Sequence, residues 1–182
     1  MEIYRNKIGL LVLAVIIVMS IVGCASTKGS YSPITSVTEA ADLAKYSDVV
    51  IEVKNNPDVA LTTTDNNRIQ TLIVANLREE YPNKFKEVNP AKPDAQTLQA
   101  IVNITTYDKG NAFARFMLAG LGSMQIKADI LLNDLANGQC LGKSECKKTF
   151  AWGGLYGGAT TIEGIEEGFA KAAAASIAEA KK

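Results

Sequence analysis

Met124-Gln-Ile-Lys-Ala-Asp-Ile-Leu-Leu-Asn-Asp134 puts Met124, Ile126, Ala128, Ile130 and Leu132 on one side of a pleated backbone. Gln125, Lys127, Asp129 and Asn133 fall on the other side, with Leu131 the apolar exception. A period of two with one apolar side predicts an antiparallel strand that has one face packed and the other wet. Asn137-Gly138 follows and supplies the residues of a hairpin turn, so the chain is expected to return toward Phe150.

Working outward, residues 98–107 read as a second strand, with Val102 and Ile104 opposite Asn103 and Thr105. The β-branched run at 49–53, bounded by Ser47-Asp48 and Asn55-Asn56-Pro57, reads as a third, and residues 85–88 as a short fourth. Ile69, Leu72, Ile73 and Leu77 recur at helical spacing; Asp65 is the candidate N-cap, and Pro82 ends the helix. Ile162, Ile165, Phe169, Ala173 and Ile177 form the apolar stripe of a terminal helix that opens on the capping-box spacing Thr160-Thr-Ile-Glu163. Ser36-Val-Thr-Glu39 has the same spacing and predicts a short helix running toward Lys45. Gly164, Gly168, Ala172 and Ser176 recur every four residues on the terminal helix and are expected to pack closely against the sheet. The fold class expected is α+β, a mostly antiparallel sheet covered on one face by two amphipathic helices.

The N-terminus reads as an address. Arg5 and Lys7 precede fifteen uncharged residues, 8–22, short of the roughly 20 that a spanning helix needs. Ile21-Val-Gly-Cys24 then resembles the bacterial lipobox, in which the cysteine receives a diacylglycerol and becomes the first residue after cleavage. Residues 1–23 are therefore expected to be a lipoprotein signal peptide with Cys24 as the acylated, palmitate-bearing position. Residues 24–36, rich in Ser, Thr, Gly and Lys, read as a flexible tether, and 37–182 as a single domain. Ala25, where an aspartate would typically retain a lipoprotein in the inner membrane, points to the outer membrane facing the periplasm.

Composition narrows the function. The 182 residues carry 19 basic and 19 acidic side chains and no histidine. A neutral chain lacks the field that holds a polyanion, so no nucleic-acid partner is expected. Histidine-based triads, imidazole bases and His-ligated metals are excluded. Cys140 and Cys146 stand six apart, too few ligands for zinc, so no metal is expected. In an oxidising compartment the two thiols are expected to form a disulfide. That bond needs a fold-back at Gly142-Lys143-Ser144, because an unbroken strand would hold the Cα atoms about 20 Å apart. The same Gly142-Lys143-Ser144 fails as a phosphate loop, since it follows a hairpin turn instead of joining a strand to a helix.

Two segments stand out as surfaces. Residues 112–122, Ala-Phe-Ala-Arg-Phe-Met-Leu-Ala-Gly-Leu-Gly, form either a buried crossover or an exposed patch for a partner or a bilayer; Phe113, Arg115, Phe116 and Leu118 are its candidate contacts. Trp152-Gly-Gly-Leu-Tyr-Gly-Gly158 is either a glycine-rich connection or a binding surface built on Trp152 and Tyr156. Glu79, Glu80, Glu163, Glu166 and Glu167 read as solvated charges near helix ends.

The order of these pieces is similar to a known family. The strand after Tyr46-Ser47-Asp48, the helix over 69–81 and the strand ending Thr106-Tyr-Asp-Lys-Gly110 come first, then Arg115 and Gly120-Leu-Gly122. The strand 126–134, its Asn137-Gly138 turn, a glycine-rich link and a terminal helix close the pattern. With the lipobox, this resembles the bacterial lipoproteins of domain of unknown function 4410, over most of residues 45–180; Cys140 and Cys146 fall outside the pattern. The resemblance implies an α/β layer like that of curli-secretion lipoproteins, and no catalytic residues. The expectation is a non-enzymatic, cofactor-free envelope protein, held by acyl chains and binding or assembling with other envelope components. The alternative is a periplasmic carrier or sensor of a small ligand.

Overall fold

The computed structural model describes residues 28–36, 42–118 and 121–181. The leader, the lipobox and Cys24 lie outside the described residues, as does most of Ser36-Val-Thr-Glu39. The alternation at 124–134 becomes β5 (Met124–Asp134), followed after the Asn137-Gly138 turn by β6 (Cys140–Phe150). Asp134 organises that turn: its backbone carbonyl accepts from the Gly138 N–H at 2.8 Å, and its Oδ1 accepts from the Ala136 N–H at 2.9 Å. Upstream stand β1 (Ser30–Tyr31), β2 (Thr35–Ser36), β3 (Asp48–Asn55), α1 (Thr63–Glu80), β4 (Thr97–Asp108) and α2 (Ala112–Met117). Downstream are α3 (Gly154–Ala159) and α4 (Ile162–Ala180).

One sheet runs β1-β6-β5-β4-β3, with β2 also against β6. Every pairing is antiparallel except that of β3 with β4, which α1 connects. α1 packs over β3, α4 over β5 and β6, and the two helices pack on each other. The α+β class and the two covering helices are therefore present. Met124, Ile126, Ile130 and Leu132 point into this layer with Val102, Ile104, Ile69, Ile73 and Phe169. Alanines 172–175 let α4 lie close to the sheet, and the Ser144 and Ser176 hydroxyls meet at 2.8 Å where β6 passes under it. Gly164, the first of the small residues, has open space around its Cα, so the close packing starts at Gly168.

Several local expectations are corrected. Thr62, not Asp65, caps α1; Asp65 is the third helical residue and completes a capping box with Thr62. α4 is capped by Thr161, not Thr160, and without a side-chain cap hydrogen bond; the Thr160 hydroxyl donates to the Tyr156 carbonyl at 2.8 Å. Residues 85–88 give one bridge, Val88 to Val49, on the outer edge of β3. Before β3 there is a 3-10 turn, Leu43–Lys45, capped by Asp42.

The Cys140–Cys146 disulfide is overturned. β6 continues as strand through Gly142-Lys143-Ser144, paired with β5 apart from a one-residue bulge at Leu141, and both thiols are free. The two lie six steps apart along the strand, about 20 Å at 3.3 Å per residue, well beyond bridging range. The Cys146 side chain is buried beneath Phe169, and burial pushes its thiol up to about 12.

Within the stretch read as a tether, residues 30–31 and 35–36 pair with the outer edge of β6. The Gly29 N–H donates to the Gly168 carbonyl at 2.7 Å. A Cβ at Gly29 would lie 2.7 Å from the Lys147 carbonyl oxygen, so only glycine allows this approach.

Candidate functional site

The last turn of β4 ends at Asp108, and the chain immediately forms α2, whose N-cap Asn111 accepts from the Ala114 N–H at 2.9 Å. Six residues are too short to hold themselves as an isolated helix in water. What holds α2 is Arg115, which is 2% exposed. Its Nε donates to the Gly157 carbonyl at 2.8 Å and its guanidinium nitrogens to Gly122 at 2.8 Å, Thr160 at 3.2 Å and Lys109 at 3.4 Å. One planar fork thus ties the ends of α2 to α3. Gly157 lies so close to the chain entering α3 that a Cβ there would stand 2.1 Å from the Trp152 carbonyl oxygen.

On this clamp sits an apolar platform. α2 turns Phe113 (73% exposed), Phe116 and Met117 outward, and Leu118 and Leu121 continue the surface. α3 adds Leu155 (81% exposed) and Tyr156, with Trp152 just before it. The Tyr156 ring leans on Phe150 at the end of β6, with centroids 5.6 Å apart. Monomeric soluble proteins rarely leave so many large apolar side chains together in water. Of the six residues singled out as a surface, Phe113, Phe116, Leu118, Trp152 and Tyr156 are brought together here. Arg115 is the correction: it is buried and builds the platform from beneath. Among the described residues of 112–122, the large apolar side chains Phe113, Phe116, Met117, Leu118 and Leu121 are exposed, which favours the patch over the buried crossover.

Beside the platform a cleft of about 370 Å³ runs between the end of β6 and the start of α4, past Phe150, Trp152, Tyr156, Gly168 and Lys171. A second, of about 650 Å³, opens on the sheet near Tyr31, Thr105, Lys127, Asp129 and Glu145. Among the described residues no group of three or more His, Cys, Asp or Glu is placed to hold a metal ion.

A buried polar cluster departs from the sequence reading. Glu166 is 0% exposed, although it resembles a surface charge in the sequence. It accepts from the Tyr107 hydroxyl at 2.6 Å and from Arg68 Nη2 at 2.8 Å, with a further, very short contact from Arg68 Nε. Arg68 also reaches Asp65 at 2.7 Å. Burial opposes the Asp65 charge, but hydrogen bonds from Thr62 and Arg68 outweigh it and hold the carboxyl below its ordinary value. Burial and Glu166 both push the Tyr107 phenol up. The signal was present: Glu166 stands four residues after Ile162 and three before Phe169, on the apolar stripe itself. Every member is spoken for by a partner, which is the signature of a structural ion pair joining α1, β4 and α4 rather than a reactive site.

The fold is similar to that of one solved protein, and weaker likenesses stand beside it. A point variant of PelC from Paraburkholderia phytofirmans, solved as a dodecamer, superposes with a TM-score of 0.51 at 14% identity, over 85% of this chain and 99% of that one. A Xanthomonas campestris protein of DUF330 gives 0.48 at 8% identity, over 82% and 95%. A Caulobacter crescentus protein described as a candidate lipoprotein gives 0.39 at 19% identity, over 76% and 88%. No curated protein matches the chain. The family model described as domain of unknown function (DUF4410) matches residues 37–154, which takes in β3 to β6, α1 and the platform up to Gly154, and the chain belongs to that family.

Proposed function

We propose that this is a lipid-anchored protein of the bacterial envelope that works by contact and not by catalysis. The observation that carries the reading is the platform: eight large apolar side chains held out to solvent by two short helices around a buried arginine. A clamp of this kind spends a buried charge on fixing an exposed surface, which is intelligible where the surface itself is used. The lipobox ending at Cys24 supplies the anchor, and Ala25 favours the outer membrane, facing the periplasm. The dodecameric state of PelC, a protein of similar fold, supports assembly as one use of this scaffold.

The test is photo-cross-linking in intact cells with full-length protein carrying a photoactivatable residue in place of Leu155, against the same residue in place of Lys127 on the open sheet face. An adduct with an envelope component, protein or lipid, is expected at 155 and not at 127. No adduct at 155 would contradict the reading.

A further inference from the structure

We propose that the platform formed by α2 and α3 seats on the same lipid surface in which Cys24 is anchored. The proposal rests on the contact reading above and names the partner of that surface. Three features of the chain support it.

The first is where the N-terminus leaves the domain. β1 is antiparallel to β6, with Tyr31 opposite Cys146 and Ser30 opposite Lys147. Residue numbers therefore fall in β1 as they rise in β6, toward Phe150 and the platform. Gly29 is fastened to Gly168 on α4, and the Lys28 carbonyl accepts from Lys148 Nζ at 3.3 Å. The described chain begins at the platform's end of the sheet.

The second is length. Only Ala25, Ser26 and Thr27 separate Cys24 from Lys28. Fully extended, the five steps from Cys24 to Gly29 span about 17 Å. A domain of about 150 residues is roughly 40 Å across, so its far end cannot be the one that meets the surface. The platform's end must face it. The same constraint argues against a second copy as the occupant. Two copies anchored in one leaflet both turn their platforms toward the lipid, and laying one platform on the other would require inverting a copy.

The third is chemistry. Trp152 and Tyr156 are the amphipathic rings that favour the boundary between headgroups and acyl chains, while Phe113 and Leu155 are wholly apolar. The adjoining cleft carries both signs, Lys148 and Lys171 with Glu167. Apolar burial, and not attraction to anionic lipid, therefore supplies the docking.

Trp152 is the one tryptophan of the chain, so the platform reports on itself. Acylated protein extracted from membranes would be reconstituted into vesicles of phosphatidylethanolamine and phosphatidylglycerol, with and without brominated acyl chains. The expected result is strong quenching of Trp152 by the brominated lipid and a several-fold loss of acrylamide quenching. A Phe113→Ser/Leu155→Ser variant, whose changes touch only exposed positions, should stay anchored and folded yet lose the brominated-lipid quenching. Trp152 shielded from acrylamide but unquenched by brominated lipid would overturn the bilayer proposal and leave contact with a protein standing. Trp152 open to acrylamide in the anchored protein would likewise overturn the bilayer proposal, while the contact reading stands or falls on the cross-link at residue 155 in intact cells.

Discussion

The Nε of Arg115 donates to the carbonyl of Gly157 at 2.8 Å, across 42 residues of chain, and this bond joins two helices that neither length nor composition could stabilise separately. Its neighbours in the clamp are backbone carbonyls too. Replacing Arg115 by Ala leaves several of them without a donor, at a cost of about 3 kcal/mol. Arg115→Lys cannot reproduce the planar fork and should recover little of this. Urea unfolding, with Trp152 emission as the local probe, is the measurement. Wild-type stability in Arg115→Ala would remove the clamp from the account.

The buried pair of Arg68 and Glu166, between α1 and α4, should behave differently. Glu166→Ala leaves the Tyr107 hydroxyl without its acceptor and removes one of the two close carboxylates on Arg68, Asp65 staying at 2.7 Å, and breaking one side of such a buried pair costs about 3 kcal/mol. Removing both charges together, as Arg68→Met with Glu166→Leu, should cost less than Glu166→Ala alone. A double-mutant cycle in urea measures the difference, and simple additivity would show that the two side chains do not depend on each other.

Gly29→Val should detach β1. The new side chain would collide with the Lys147 carbonyl, which cannot move without disturbing β6. Amide exchange at Glu145 and Lys147 and proteolysis after Lys28 should both accelerate, while the α4 core keeps its protection. The unpaired β6 edge would also favour aggregation.

Free thiols follow from the strand run of β6. Denatured, unreduced protein should give two reactive thiols, Cys140 and Cys146, besides a blocked Cys24. In native protein Cys146 should react far more slowly, being buried with its thiol raised to about 12. The sign of the linkage is fixed by that rise. Below the unfolded value of 9.0 both states hold the proton and the contribution is intact; from there to about 12 the unfolded state alone ionises and stability falls. Cys146→Ala should flatten the loss of stability that begins near pH 9.0, although the raised phenols of Tyr46 and Tyr107 keep some alkaline sensitivity.

The strands and the two long helices were legible because their side chains obey one period each. Residues 124–134 alternate, and Ile162, Ile165, Phe169 and Ile177 keep to a helical stripe. The same rule read more strictly would have corrected two errors. Lys143, Glu145, Lys147 and Thr149 alternate with Ser144, Cys146 and Phe150, which marks a strand through the supposed fold-back. Glu166 lay on the stripe, but a carboxylate there becomes credible only with Arg68 facing it, a pairing across 98 residues that no local pattern encodes. The platform was half legible. Its apolar segments are plain in the sequence, whereas the burial of Arg115 depends on four carbonyls that only the folded loops bring together.

The proposed seat on the membrane depends on acylation of Cys24, because only an anchored residue five steps from Gly29 would orient the platform toward the lipid. Intact-mass measurement of the protein extracted from membranes tests this directly. The account predicts a chain that lacks residues 1–23 and carries acyl groups on Cys24, and a Cys24→Ser protein that keeps its leader and gains no lipid mass. A wild-type chain extracted with Met1 in place, or with an unmodified Cys24, would contradict it.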